Sequence, residues 1–65
     1  MQITVNGKSA TYNNITTVED LLDRLQIKGK LAVEINHKII PRSTYNTRKL
    51  NPGDVIEIVR AVGGG

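Results

Sequence analysis

The chain has no cysteine, no tryptophan and no phenylalanine, and its only aromatic residues besides His37 are Tyr12 and Tyr45. Without cysteine there can be no disulfide, no thiolate nucleophile and no thiolate-bound metal. With 65 residues the chain is one domain at most. A domain of that size buries only roughly 60% of the surface its unfolded form exposes, so strand pairing and aliphatic packing must hold it together. The core therefore has to be built from Ile, Leu and Val. Nothing approaches the ~20 consecutive apolar residues of a membrane span. The opening MQITVNGK has no basic segment leading into an apolar stretch and a cleavage site, so no signal peptide is expected, and the expected location is cytoplasmic.

Charge of one sign is also scarce. Nine Lys and Arg against six Asp and Glu leave a net charge of +3. That suits solubility and docking to acidic partner surfaces. The basic residues are scattered and few aromatics are present for bases to stack on, so nucleic acid is not an expected partner.

What the chain does have is clear patterning. In MQITVN, Met1, Ile3 and Val5 alternate with polar residues, as in a half-buried strand. Asn6-Gly7 then reads as a two-residue hairpin turn, and SATY returns as a second strand. The period changes in TTVEDLLDRLQIKG, where Val18, Leu21, Leu22 and Leu25 form one helical stripe. Thr16 with Glu19 is the expected capping box, Asp20 adds a carboxylate to the first turn, and Lys28 with Gly29 marks the expected end. Alternation resumes in LAVEIN, with Leu31, Val33 and Ile35 inward. HKIIPR turns and adds a short extended piece that stops at Pro41. STYNTRK reads as loop or one helical turn. Pro52-Gly53 fits the centre of a type II turn before a last strand from Val55 to Val59. In that strand Ile56 and Ile58 are assigned to the core and Val55, Glu57 and Val59 to the other face. Its nearly continuous apolar run fits a central strand covered on both faces, or one with a face left for a partner. The fold class is α+β: a mixed four- to five-stranded sheet with one helix packed across it, in the order β-β-α-β-β-β. Residues 1–60 form the expected domain and 61–65 an expected flexible C-terminal tail.

Self-contained catalysis finds no support in these residues. His37 is the only histidine, sits in a turn, and has no second His or Cys to share a metal. Ser9 and Ser43 lack an evident base partner. Glu19, Asp20 and Asp23 are explained by helix capping and solvation. GKS at residues 7–9 lacks the earlier glycine of a phosphate-binding loop. The ending RAVGGG remains. Glycines there allow close approach to another surface and passage through a channel too narrow for side chains. Residues 61–65 could extend roughly 16–18 Å at ~3.3–3.6 Å per residue. An unbranched terminal carboxylate is the least hindered acyl group a chain can offer for activation in another protein's site. A disordered end or an expression scar would give the same three glycines.

AVEINHKIIPR in the middle, LNPGDVIEIV near the end, NG in the first turn and a terminal Gly-Gly resemble the ubiquitin-like β-grasp sulfur carriers. Within that group the chain is most similar to the ThiS family of thiamine biosynthesis. The resemblance covers the whole chain and implies a ubiquitin-like β-grasp fold. It also implies a carrier that is no enzyme, contributing no acid, base or metal and binding no cofactor. A ThiF-like, E1-like adenylyltransferase would use ATP to convert the Gly65 carboxylate to an acyl-adenylate. Sulfur from a donor such as a cysteine desulfurase would replace AMP to give a thiocarboxylate, and a ThiG-like thiazole synthase would take that sulfur into the thiazole ring. Gly64, and by extension Gly63, would thread the partners' sites. Arg42, Val59 and Arg60 are candidates for the partner surface, with Arg48 and Lys49 as further basic residues near it. No membrane partner is implied, and the free carrier would be a monomer. The small subunit of molybdopterin synthase, another sulfur-carrier pathway, a ubiquitin-like protein-conjugating modifier and a simple binding module are the competing readings.

Overall fold

A computed structural model describes residues 1–60. Five strands and one α-helix follow in order: β1 (Gln2–Val5), β2 (Lys8–Thr11), α1 (Val18–Leu25), β3 (Leu31–Ile35), β4 (Lys38–Ile40) and β5 (Val55–Arg60), with a 3₁₀ turn at Arg42–Thr44. They form one mixed sheet in the order β2-β1-β5-β3-β4. Only the β1–β5 pair is parallel, because the chain crosses over through α1 between the two halves. The expected α+β, ubiquitin-like arrangement is therefore present, with five strands.

Two hairpins use the same local device. Asn6 and Gly7 take φ of 49° and 84°, and Asn36 and His37 take 51° and 70°. Positive φ at both central positions gives the turn whose twist matches the flanking strands. The second pair shows that His37 serves the β3–β4 turn, where Ile35 pairs with Lys38.

The core is aliphatic throughout, as the missing Phe and Trp require. Ile3, Val5, Val33, Ile35, Ile40, Ile56 and Ile58 of the sheet meet Val18, Leu21 and Leu22 of α1, with Ile15 and Leu50 closing the ends. Full burial of each such side chain is worth about 1.5–3 kcal/mol. β5 is central, and its Ile56 and Ile58 are buried while Val55, Glu57 and Val59 are exposed. One face of the central strand is thus packed and the other is open.

The helix ends differ from the sequence expectation. Its cap is Thr17, not Thr16, and the carboxylate of the capping box is Asp20, not Glu19. The Asp20 N–H donates to Thr17 Oγ1 at 3.2 Å, and the Thr16 and Thr17 N–H groups both donate to Asp20 Oδ2, at 2.8 and 3.0 Å. The shift has a tertiary cause. Thr16 O accepts from Leu50 N–H at 2.8 Å and Thr17 pairs with Lys49, so residues 16 and 17 are held extended. The first free N–H groups of the helix, those of Val18 and Glu19, donate to the carbonyls of Arg48 and Tyr45.

These hydrogen bonds hold the Asp20 carboxyl below its ordinary value of 3.8, with the Thr17 N–H the largest cause and that of Thr16 the next. A depressed carboxylate contributes stability that is complete above its unfolded pKa and is lost as pH falls through the lowered folded one. Asp20→Asn should therefore lower the melting temperature at neutral pH and flatten its acid limb, the two proteins converging as pH falls below the lowered Asp20 value.

The helix also stops earlier than expected, at Leu25 rather than beside Lys28 and Gly29. Gln26 takes the left-handed conformation at φ 56° and its N–H donates to Asp23 O, while Ile27 N–H donates to Leu22 O. This is the Schellman closure, with Ile27 packed on the core as its apolar contact. Leu22 and Leu25 face the sheet, so the chain must turn there to reach β3. Gln26 is exposed, so Gln26→Gly loses no contact and relieves the strained backbone. It should raise stability by about 0.5–1 kcal/mol, measured by urea unfolding.

Candidate functional site

Gly63, Gly64 and Gly65 lie outside the described residues, as does the division expected at residue 61. The described structure ends on β5, the strand that leads to them in sequence. β5 is held on one side by β3 from Ile56 to Arg60, with Ile35 opposite Ile56 and Leu31 opposite Arg60. On the other side β1 reaches only Val55 and Ile56.

The start of β5 is fixed by a polar knot absent from the sequence reading. Asp54 is the buried charged residue among the described positions. Its Oδ2 accepts from Asn51 N–H at 2.8 Å, closing the Asn51–Asp54 turn around Gly53, whose φ is 88°. Its Oδ1 accepts from Asn36 Nδ2 at 3.1 Å, and Asn36 Oδ1 in turn accepts from Val55 N–H at 2.9 Å. Every buried side-chain polar atom among the described residues has a partner, so this knot is structural and not a reactive group in waiting. Asp directly after Pro-Gly was the available signal, but its partner lies 18 residues away.

The outer face of the sheet carries the exposed apolar residues Ile39, Val55 and Val59, which are 76%, 41% and 62% exposed. Strand register assigns its other members. Val59 stands opposite Ala32, Glu57 opposite Glu34, and Glu34 opposite Ile39. Thr4 neighbours Val55 and pairs with Ser9, and Gln2 pairs with Thr11. Every Lys and Arg within a strand falls on the opposite parity: Lys8 opposite Val5, Lys38 opposite Ile35 and Arg60 opposite Leu31. On a chain of net charge +3, this face thus presents two adjacent carboxylates among aliphatic side chains. Val59 and Arg60 point to opposite sides of the sheet, and Arg42 sits in the exposed 3₁₀ turn after β4. The three surface candidates do not share one face. Of the other basic candidates, Arg48 and Lys49 lie beside the start of α1.

Among the described residues no group of His, Asp and Glu could hold a metal ion, and no helix is long and apolar enough to cross a membrane. Ser9 Oγ accepts from Gln2 Nε2 at 3.0 Å and has no base beside it.

Comparison with known proteins fits this geometry. The ThiS family profile matches residues 3–65. The sulfur carrier protein ThiS of Bacillus subtilis is 43% identical over 63 residues, which cover 94% of this chain and 96% of that protein. A thiazole synthase of Paramagnetospirillum magneticum is 41% identical over 66 residues, covering all of this chain but only 20% of that protein. The chain therefore spans about a fifth of the thiazole synthase that it matches and nearly all of the Bacillus carrier. The crystal structure of a thiamine biosynthesis protein, ThiS, from Geobacter metallireducens superposes over the full length of both chains with a TM-score of 0.84 at 30% identity. With its profile matched to residue 65 and its fold matched end to end, this chain belongs to the ThiS family.

Proposed function

We propose that this chain is a sulfur carrier of thiamine biosynthesis and that it carries sulfur as a thiocarboxylate on Gly65. The 43% identity with the Bacillus subtilis sulfur carrier, aligned over nearly the full length of both, is the observation that carries this reading. The Gly65 carboxylate attacks the α-phosphorus of ATP in an E1-like partner, and pyrophosphate leaves. The terminal sulfur of a protein persulfide then attacks the carbonyl carbon and AMP leaves. A second thiol of the partner machinery cleaves the S–S bond of the acyl disulfide so formed, releasing the thiocarboxylate and leaving a disulfide on the partner. The activation is needed because a carboxylate is a poor electrophile. The resulting thiocarboxylate is a nucleophile that stays tethered, which keeps its effective concentration high at the acceptor.

The acceptor is a thiazole synthase. In the Paramagnetospirillum magneticum thiazole synthase, a segment like this chain is part of the same polypeptide. Such a covalent arrangement supports the same two parts meeting as separate molecules. ATP belongs to the adenylating partner, and the carrier supplies recognition and delivery without an acid, a base or a metal of its own. The outer sheet face with Val59, Glu57 and Glu34 is continuous with the strand leading to Gly65. A partner holding that face holds the strand that presents the tail. Expression in a bacterium lacking its own ThiS should restore growth without thiamine. Absence of growth with the folded carrier present in the cell would overturn the assignment.

A further inference from the structure

The sequence explains Asn6 as a turn residue, but its side chain does something the turn does not require. In a parallel ladder, Ile58 N–H would donate to the backbone carbonyl of residue 6, and Ile58 O would accept from the N–H of residue 8. Neither bond can form, because the chain reverses at Asn6 and Gly7 to begin β2. The backbone pairing ends where Asn6 N–H donates to Ile56 O at 2.9 Å. The Asn6 side chain replaces both missing bonds. Ile58 N–H donates to Asn6 Oδ1 at 2.7 Å, and Asn6 Nδ2 donates to Ile58 O at 3.2 Å.

Residue 6 therefore has two demands placed on it at once. It must accept a φ of 49°, and it must offer one donor and one acceptor at the reach of a short amide. Glycine meets the first demand alone. Aspartate lacks the donor, and glutamine is longer and less tolerant of positive φ. Asparagine meets both.

Ile58 is two residues from the end of β5 at Arg60. From there the chain continues to Gly65. We infer that Asn6 is a positioning residue that fixes the heading of β5 as it leaves the sheet, and so the direction in which the C-terminal segment is offered to the adenylating partner. This inference rests on the carrier reading for its consequence, though not for its geometry. Without the Asn6 amide, the segment from Ile58 to Arg60 keeps only its β3 partners. It then samples several headings, and the partner captures the fraction that points correctly. If that fraction falls to about one fifth, the apparent affinity falls about fivefold while the chemistry after capture is unchanged.

The test uses the full chain with Asn6→Gly, which keeps the turn and removes the amide. A second variant, Ile15→Val, trims a buried side chain that is outside β5 and serves as a stability control. Amide exchange of Ile58 and the dipolar-coupling orientations of the Val59 and Arg60 N–H bonds report the heading without any partner. ATP–pyrophosphate exchange by the E1-like enzyme, with the carrier varied, reports capture. In Asn6→Gly, Ile58 exchange should quicken, the Val59 and Arg60 couplings should shrink, and KM should rise about fivefold with kcat within about twofold. Ile15→Val should change neither KM nor the couplings. Unchanged couplings in Asn6→Gly, an unchanged KM, or an equal KM rise in Ile15→Val would each overturn the inference. A wild-type carrier that the enzyme ignores would instead sink the carrier reading, and the couplings would still decide the role of Asn6.

Discussion

Deleting Gly65 should leave the melting temperature unchanged and reduce ATP-dependent adenylation on the order of 100-fold or more. The shortened chain still ends in an unhindered glycine carboxylate, that of Gly64, so the reacting group is chemically the same. What changes is reach. One residue spans about 3.3–3.6 Å of extended chain, and misplacing a reacting group by about 1 Å already costs ~10²-fold. The fold should not respond, because the core and every described strand and cap lie within residues 1–60. ATP–pyrophosphate exchange and a thermal melt on the same sample measure the two halves. A chain lacking Gly65 that is adenylated at the wild-type rate would remove Gly65 from the mechanism.

Leu21→Ala should have the opposite signature. Leu21 is fully buried at the centre of the α1–sheet contact. Truncating such a leucine costs about 2–5 kcal/mol, from lost transfer energy and the cavity left behind. A domain of 65 residues has only about 3–10 kcal/mol in total. The melting temperature should drop by roughly 10–30 °C, and part of the population should be unfolded at 37 °C. At low temperature, where the domain is folded, adenylation per folded molecule should match wild type, because Leu21 lies in the core and not on the proposed partner face. Circular dichroism melts with exchange assays at two temperatures measure this. A specific loss of adenylation in the fully folded variant would mean that the core has a role beyond support.

The contrast between these variants follows what the sequence made legible. The helix, the five strands and the inward residues are written in local periodicity, so Val18, Leu21, Leu22 and the alternation of β1, β3 and β5 could be placed without coordinates. The cap slipped by one residue because Lys49 and Leu50 hold Thr16 and Thr17 extended, and no local rule anticipates partners over 30 positions away. The helix stop was misplaced for a related reason. Glycine is the preferred left-handed terminator, so Gly29 drew attention, whereas the need to reach β3 turns the chain at Gln26. Asp54 and Asn6 were legible as turn residues. Their second duties, to Asn36 and Ile58, depend on strands that meet only in the folded sheet. The outer face shows the same limit. Alternation placed Glu57 and Val59 on it, but only the β3–β5 register brings Glu34 opposite Glu57.

The sequence pointed to the glycine ending through the absence of any other candidate and through the resemblance of the motifs around it, and its chemistry is a proposal that the next experiment decides. The most direct test of the account is the intact mass of the purified chain after incubation with ATP, a ThiF-like enzyme, a cysteine desulfurase with cysteine, and a thiol reductant. The account predicts a mass gain equal to the exchange of one oxygen for sulfur, mapped to Gly65 and absent when ATP is omitted. An unchanged mass with both enzymes shown to be active, or a larger adduct joining Gly65 to a lysine of another protein, would contradict it.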